Sequence, residues 1–460
     1  LRPKKSRQLG MNGSVNISYV QGNYPKSPNS FNFNYRKGKV NFFTSGGFNF
    51  WQADRRQTLL RKFRQTGQVY VFDQVGTDVN TSRNYNARIG LDYTLSPRTT
   101  IGILATGNYN SNFSRSTSIG DFYVVGENTA DSSIVAGSTE KRPRKNGTVN
   151  LNFRRQLNKT GQELTADLDF IRYRSTLDQF TDNQVRFPAA PASTYLLRGI
   201  LPSDITIYGG KIDYVHPLRK ESKLEAGVKS TYIQTDNNAP YETYNEASGK
   251  WVDDVRKDHF IYEEQISAAY INFSRQLNKW GFQAGLRGEH TNTTGRQVLV
   301  DKSIPRSYFQ LFPTAYVSYG MNDQNQFGLS YGRRIERPNY QDLNPFQMFL
   351  DLYTYNQGNP FLTPQFTNNI ELNHVFKSRL STTLNYTTTT DIINDILKQN
   401  DVTKVTFQTK ENIASRRNLG LALSYNAPLT KWWTTSLYGN VFNNLYKGLV
   451  NNVMLKTDVT

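Results

Sequence analysis

The fold of this chain is decided by residues 83–109, which read RNYNARIGLDYTLSPRTTIGILATGNY. Apolar side chains occupy alternate positions on both sides of a short polar turn, Ser96-Pro97-Arg98. Because successive side chains of a β-strand point to opposite faces, each half is predicted to be a strand with one apolar and one polar face. The segment therefore predicts a β-hairpin whose two faces lie in different surroundings.

In the first strand of this hairpin, the apolar face holds Tyr85, Ala87, Ile89, Leu91, Tyr93 and Leu95, and the polar face holds Asn84, Asn86, Arg88, Asp92 and Thr94. The same alternation recurs around residues 164–170, 208–214, 224–232, 282–289 and 419–425. Alternation alone fits any half-buried antiparallel sheet. Strands of 12 or more residues, charges of both signs on the polar face and glycines within strands favour a membrane barrel over a soluble sandwich or propeller.

Short polar turns and long connections alternate along the chain. The turns lie at 36–39, 96–98, 158–161, 217–220, 278–279, 322–325, 377–379 and 428–431. The long connections are predicted at about 52–80, 114–146, 175–204, 235–258, 291–306, 337–366 and 391–415. Short turns at one end and long loops at the other are typical of a transmembrane β-barrel. The fold class predicted is therefore all-β, an antiparallel transmembrane barrel.

The eight turns imply sixteen strands, and the segments near 12–20 and after 451 bring the expected count to about 17 or 18. Neither a secretory leader nor a closing aromatic strand is recognised at the two ends. We therefore expect residues 1–460 to be one incomplete barrel domain from a longer precursor.

Composition agrees with a barrel that has a wet interior. The chain has 460 residues with a mean hydropathy of −0.63, and no stretch of 18 apolar residues suggests a membrane helix. Barrel strands need only about 9–11 residues, and every second one can be polar. The 28 Tyr and 27 Phe fit aromatic belts at the membrane boundaries as well as ordinary strand preference.

The net charge of +18 raises the question of nucleic-acid binding. We do not favour it, because the basic residues are scattered through turns, loops and alternate strand positions. Basic loops facing anionic lipid, or a basic lumen favouring anionic solutes, explain the charge equally well. The chain has no cysteine, so disulfides and thiolate chemistry are excluded.

One segment differs from the repeating pattern. Residues 327–346 read FGLSYGRRIERPNYQDLNPF, and residues 358–364 read GNPFLTP. Pro338 cannot donate a hydrogen bond to a strand ladder, so a strand is predicted to end there. The Asn-Pro and Gly-Asn-Pro sequences that follow predict an ordered loop with fixed turns.

This segment resembles the outer-membrane β-barrel branch of TonB-dependent receptors of the Bacteroidota type. The matching positions are Ser330, Arg333, Arg334, Arg337, Pro338, Tyr340, Leu343, Asn344, Pro345, Phe346, Gly358, Asn359, Pro360, Leu362 and Pro364. Segments 391–396 and 427–433 also look like the family, and residues 1–19 are similar to its junction between plug domain and barrel. The motif is specific to the family and does not indicate a substrate.

The resemblance implies a 22-stranded barrel in the outer membrane, filled by a plug domain and energised by a TonB complex. It implies uptake of a nutrient and, as partners, outer-membrane lipid, TonB through an N-terminal region outside this chain, and possible surface lipoproteins. No cofactor and no enzymatic activity are expected. A non-transporting scaffold barrel and an open porin-like channel remain alternatives.

Candidate binding residues come from the same segment. Arg333, Arg334 and Arg337 could grip carboxylate, phosphate or sugar oxygens, and Tyr340, Phe346 and Tyr355 could stack on sugars. For all six, a role in holding the loop is the stronger interpretation. Pro338, Asn344, Pro345, Gly358, Asn359, Pro360 and Pro364 are expected to shape the loop. The four histidines, 216, 259, 290 and 374, lack metal-site spacing, as do Asp253-Asp254 and Asp391 with Asp395.

Overall fold

A computed structural model describes residues 10–459 apart from 66, 128, 451 and 452. The strands of the first half are β1 (Gly10–Asn16), β2 (Val20–Gln21), β3 (Pro25–Lys37), β4 (Val40–Gln65), β5 (Gln68–Ser96), β6 (Thr99–Val124), β7 (Ser132–Gln156), β8 (Glu163–Phe187), β9 (Ala190–Leu218), β10 (Ser222–Ala239), β11 (Tyr241–Asn245) and β12 (Lys250–Asp253). Those of the second half are β13 (Asp258–Leu277), β14 (Trp280–Gln297), β15 (Lys302–Asn322), β16 (Asn325–Glu336), β17 (Gln347–Asp351), β18 (Thr354–Gln357), β19 (Gln365–Phe376), β20 (Leu380–Gln399), β21 (Thr406–Pro428), β22 (Thr434–Val450) and β23 (Val453–Val459). The helix α1 (Tyr340–Leu343) lies between β16 and β17.

Eighteen strand positions pair side by side into one antiparallel wall, with β1 and β2 sharing the first position. The order is β1/β2, β3 to β10, β13 to β16, and β19 to β23. Over the residues described, the pairings leave β1 and β23 as the two edges. The prediction of an all-β antiparallel wall with 17 or 18 strands is confirmed, whereas the expected junction in residues 1–9 lies outside the described residues.

All eight short turns are found where the sequence predicts them, and in several of them polar side chains bond to the turn backbone. The Asn158 side chain accepts hydrogen bonds from the N–H groups of Thr160 and Gln162 at 3.1 and 3.0 Å. The side chain of Asn322 accepts from Gln324 N and Asn325 N at 3.0 and 2.9 Å. Such Asx bonds replace backbone partners lost where two strands reverse direction.

The ten or so residues next to each short turn form the membrane belt. On the outer face, apolar side chains such as Ile89, Leu91 and Ile103 are left exposed. On the inner face, polar side chains bond to one another, as Asn150 Nδ2 does to Asp169 Oδ1 at 2.8 Å. An apolar outside and a polar inside are the reverse of a soluble protein and the pattern of a membrane barrel. Among the residues described, no helix is long and apolar enough to cross a membrane.

The structure corrects the predicted long connections. Residues 52–80, 114–146 and 175–204 are mostly strand, since β4 and β5 pair up to Gln65 and Gln68, and β8 and β9 pair up to Phe187 and Ala190. The predicted loops at 235–258, 291–306 and 391–415 also contain long stretches of strand. The connections are therefore tall hairpins that continue the wall beyond the belt.

These hairpins escaped prediction because the outer face changes character above the belt. On β4, the outward positions from 52 to 64 face water and are polar apart from Leu60, so the apolar outward periodicity stops there. The inward positions turn apolar instead, and Phe63, Phe72 and Phe122 are 0, 0 and 2% exposed. What lies against these inward side chains is a segment of the chain inside the barrel.

A charge on the outer face of the belt is expected to destabilise the barrel, whereas one on the inner face is expected to be tolerated. Ile103→Arg would place a guanidinium in lipid and cost about 2–4 kcal/mol of unfolding free energy. The matched control is Thr106→Arg on the inner face of the same strand. Folding into vesicles, followed by urea titration and the gel shift between unheated and boiled samples, measures both. An equal loss of unfolding free energy in the two variants would contradict the assignment of Ile103 to the outer face and Thr106 to the inner face.

Candidate functional site

The segment that carries the motif, residues 337–364, folds into the interior; we call it the motif loop. Its wall neighbours in sequence are β16 and β19. Its tip nevertheless bonds to β4 and β5: Arg61 Nη1 donates to Thr354 Oγ1 at 2.9 Å, and Gln74 Nε2 donates to Asp351 Oδ2 at 2.6 Å. Eight wall strands separate β5 from β16. The motif loop must therefore cross the space enclosed by the wall.

The middle of the loop is held by side chains from the intervening strands. Gln179 Nε2 donates to the carbonyl of Phe349 at 2.7 Å, and the Tyr241 hydroxyl donates to that of Gln347 at 2.9 Å. On β8, the Asn183 side chain accepts a hydrogen bond from Leu352 N at 3.1 Å. Loop backbone buried away from water needs such partners, since each unpaired group costs about 1–3 kcal/mol. The wall thus supplies the bonds that a sheet would otherwise provide.

Two apolar clusters join the loop to the wall above the belt. The larger contains Leu177, Leu197, Leu201, Ala239, Tyr241, Phe260, Leu343, Phe346, Phe349 and Leu362. The smaller contains Phe63, Phe72, Phe122, Ile134 and Val185, with Leu352 and Tyr353 packed against it. Burial of this much aromatic and aliphatic surface stabilises the loop in the position that the structure shows.

At the near wall, Arg337 enters a buried polar cluster. Its Nη2 donates to Glu289 Oε2 at 2.7 Å and to Thr291 Oγ1 at 3.1 Å, and its Nε lies 3.8 Å from Glu264 Oε1. The Tyr340 hydroxyl donates to Glu264 Oε2 at 3.2 Å. Burial raises the pKa of Glu264 above its ordinary value, and the charge of Arg337 opposes the rise. Removing either partner would leave a buried charge without its counter-ion.

The Gly-Asn-Pro sequence closes the base of the loop. Asn359 N donates to Asp342 O at 2.6 Å, and the Asn359 side chain donates to Lys410 O at 2.9 Å. A Cβ at Gly358 would lie 2.2 Å from Asn344 O and 2.7 Å from Asp342 O. Both atoms belong to the backbone, so only glycine fits there. Arg306 of β15 donates to Pro360 O at 3.2 Å and also to Leu362 O.

A second segment, the hairpin of β20 and β21, lies over the same end of the barrel as the motif loop. Its pairing is irregular between Thr389 and Ile393, where Asp391 has φ of 56°. A bulge of this kind bends a strand pair. The hairpin then reaches the opposite wall, where Gln399 Nε2 donates to Lys62 O at 2.8 Å. Two segments thus cross the end of the barrel that carries the tall hairpins.

The structure divides the six candidate binding residues into groups. Arg337 and Tyr340 share the Glu264 cluster, whereas Phe346 is buried in the larger apolar cluster and Tyr355 stacks on Phe407 with ring centroids 5.0 Å apart. Arg333 Nη2 donates to Gln310 Oε1 at 3.0 Å and its guanidinium lies 5.0 Å from the Phe366 ring centre. Arg334 is exposed on a lumen-facing position of β16. Their role in substrate binding stays a prediction.

The residues expected to shape the loop all lie at its ends and turns. Pro338 follows the end of β16, and Pro364 precedes β19. Asn344 accepts from Phe346 N at 3.3 Å, and Pro345 O accepts from Gln357 Nε2 at 2.9 Å. The role of these residues in shaping the loop also stays a prediction.

The acidic residues weighed as calcium ligands have other partners. Asp253 pairs with Lys257 Nζ at 2.7 Å, and Asp254 pairs with Arg256 and with the Tyr195 hydroxyl. Asp395 lies 3.8 Å from Lys410 Nζ. In the part of the chain that the structure describes, no three His, Asp or Glu side chains gather as a metal site would require.

Sequence reasoning missed the wall residues that hold the loop: Arg61, Gln74, Gln179, Tyr241, Glu264, Glu289 and Arg306. No local motif marks them, and they lie in the regions predicted as loops or in ordinary strand alternation. The apolar residues Leu59, Phe63, Tyr70 and Phe72 were an available signal, because a solvated lumen does not call for them.

The polar interior, apolar exterior and tall hairpins define an outer-membrane β-barrel. The model of the outer membrane protein beta-barrel family matches residues 155–459 of the chain. The chain belongs to this family, and it is an outer-membrane protein. No curated protein sequence matches it.

Several solved structures share the fold. A variant of the ferric enterobactin receptor of Pseudomonas aeruginosa matches 96% of this chain and 66% of its own length, with a TM-score of 0.53 and 13% identity. The copper transporter OprC matches 95% of this chain and 65% of its own length, with a TM-score of 0.57 and 12% identity. The ferripyoverdine receptor of the outer membrane of P. aeruginosa matches 97% of this chain and 60% of its own length, with a TM-score of 0.58 and 12% identity. The chain thus spans 60–66% of the length of these receptors.

The contact at Gly358 generates a test of the loop geometry. Gly358→Ala is expected to displace the base of the loop, at a cost of about 1–3 kcal/mol, because a Cβ meets two carbonyl oxygens. Gly332→Ala is the control, since the nearest atom to its Cβ would be Thr314 Cγ2 at 4.0 Å. Limited proteolysis of the folded protein should cut between 337 and 364 faster only in the Gly358 variant. Equal resistance in both would contradict the close approach.

Proposed function

We propose that the protein is the barrel of a TonB-dependent transporter that takes up a nutrient across the outer membrane. The observation that carries the proposal is the motif loop, held inside a large barrel by partners on opposite walls. A scaffold barrel has no need of an ordered segment in its interior. Family membership and the fold shared with receptors support the same conclusion.

In this proposal, the motif loop forms the floor on which a solute arriving from outside is held. A small cavity of about 120 Å³ lies between the loop and β7 to β10. Its lining includes Arg142, Arg144, Asn237 and Tyr340. Two guanidinium groups next to amide and hydroxyl groups suit a solute with anionic or sugar oxygens. Arg334 and Arg337 remain further candidates for the same solute.

Transport also needs an energy source and a gate within the barrel. We propose that a plug domain and a TonB box, encoded outside residues 1–460, supply them, and that the periplasmic TonB complex is the partner. Surface lipoproteins are proposed as possible further partners. Because the motif loop crosses the mouth, we also propose that it shifts when solute passes.

The proposed function is tested by comparing uptake in cells with and without the gene. Culture medium containing mixed peptides, glycans and metal chelates is sampled by mass spectrometry during growth. The wild type should deplete a defined set of solutes that the deletion strain leaves, and an uncoupler of the proton gradient should abolish the difference. An unchanged solute profile in the deletion strain would contradict transport and favour a scaffold barrel.

A cross-link between loop and far wall should stop this uptake. The chain has no cysteine, so Gln74→Cys with Asp351→Cys introduces the only thiols into residues 1–460. A short thiol-specific cross-linker that is cleavable by reductant is expected to block uptake, and reduction should restore it. Thr77→Cys with Thr117→Cys, paired across β5 and β6, is the control that leaves the loop free. Full uptake with the loop cross-linked would show that uptake does not need the loop to move.

A further inference from the structure

Three cationic side chains gather on the outer face of β7 and β8; we call Lys145, Arg172 and Arg174 the outer basic cluster. They lie on the same outward face as lipid-facing Val149 and Leu168. On each strand they are farther from the short turn than these apolar residues. They stand nine to eleven residues from the short turn between Gln156 and Glu163. A strand of this length spans the membrane belt, so the cluster lies at its upper boundary.

Aromatic side chains mark the same boundary on the strands around the cluster. Tyr85 and Tyr109 stack with centroids 6.2 Å apart, and Phe170 and Tyr208 lie 5.3 Å apart. The Lys145 ammonium lies 5.8 Å from the centre of the Tyr109 ring. Aromatic belts sit at the level of lipid headgroups. The outer basic cluster therefore faces headgroups and not acyl chains.

The cluster carries more positive charge than its surroundings neutralise. Lys145 and Arg174 are direct partners in the register of β7 and β8, an arrangement in which like charges repel. Asp204 of β9 accepts from Arg172 Nη2 and from Arg174 Nε, both at 2.8 Å. Three cations against one carboxylate leave two positive charges, and the side chains of Arg172 and Arg174 stay 46 and 59% exposed.

On β10, β13 and β14, the outward positions at this height lack such charges. The outward positions there are Ser230 on β10, Ser267 on β13 and His290 on β14, and they bond to neutral groups: Ser230 to Gln265 at 2.7 Å, and His290 to Ser307 at 3.2 Å. The three neighbouring cations on β7 and β8 therefore set this part of the wall apart from β10, β13 and β14. Beside them, a Cβ at Gly107, the register partner of Gly147, would meet no atom within 4 Å. The surface there is open to a headgroup.

We propose that the outer basic cluster binds the phosphate of a phosphorylated lipid in the outer leaflet. Lys145 and the two arginines supply the charge, and guanidinium groups match phosphate oxygens with paired hydrogen bonds. The lipid's acyl chains would lie against the apolar belt below, next to Val149 and Leu168. The site is on the outside of the wall and does not depend on whether the protein transports a solute.

The test measures lipid binding to the purified full-length protein by native mass spectrometry. The probes are a phosphorylated, acylated disaccharide (lipid A) and its dephosphorylated form. We expect the wild type to prefer the phosphorylated lipid. Lys145→Gln with Arg174→Gln should weaken that binding roughly 30-fold, because each cation near a membrane surface contributes about 1 kcal/mol. Lys62→Gln with Arg64→Gln, on the exposed tip of β4, is the charge-matched control and should bind as the wild type does.

A variant that is expected to bind more tightly distinguishes a lost binding site from a misfolded protein, because misfolding can only reduce binding. Asp204→Asn removes the one carboxylate that neutralises Arg172 and Arg174, so it should bind the phosphorylated lipid more tightly than the wild type. Equal binding of both lipids, or equal loss in the control, would overturn the proposal. So would full displacement by inorganic phosphate, which would mark a site for free anions.

Discussion

A backbone N–H or C=O group in the hydrocarbon of a bilayer has no water to bond to, and this constraint governs the wall of the protein. Each strand must find its partners in the two neighbouring strands. Antiparallel neighbours joined by eight short turns meet that demand, with polar side chains such as Asn158 and Asn322 completing the turns. The faces then differ, since one meets lipid and the other lines a polar interior.

Above the membrane the same strands continue under a different constraint. Their outer face meets water, and their inner face packs on the motif loop. The loop is an irregular backbone in a confined space, so it needs side-chain partners for its polar groups. Gln179, Tyr241 and Asn183 provide them from the wall. The tall hairpins and the loop thus stabilise each other, and neither would keep this form alone.

Much of the wall follows from short-range sequence patterns. Alternation in residues 83–109, the turn chemistry and the end of β16 at Pro338 are local, and the structure agrees with each of them. The tall hairpins were missed because outward positions such as those from 52 to 64 are mostly polar, which resembles a loop. The loop's anchors were missed because Arg61 and Thr354 are 293 residues apart. Only the folded wall places such residues together, and no local pattern encodes that distance.

The central claim is that the motif loop crosses the barrel and rests on the far wall. Hydrogen exchange of the peptide covering 347–357 tests it in the protein with Arg61→Ala, a change nearly 300 residues away in sequence. The buried Arg61 bonds to both Thr354 and Gln74, so its loss should speed exchange of that peptide while β13 to β15 stay protected. Unchanged exchange of 347–357 would show that the loop does not rest on β4 and β5.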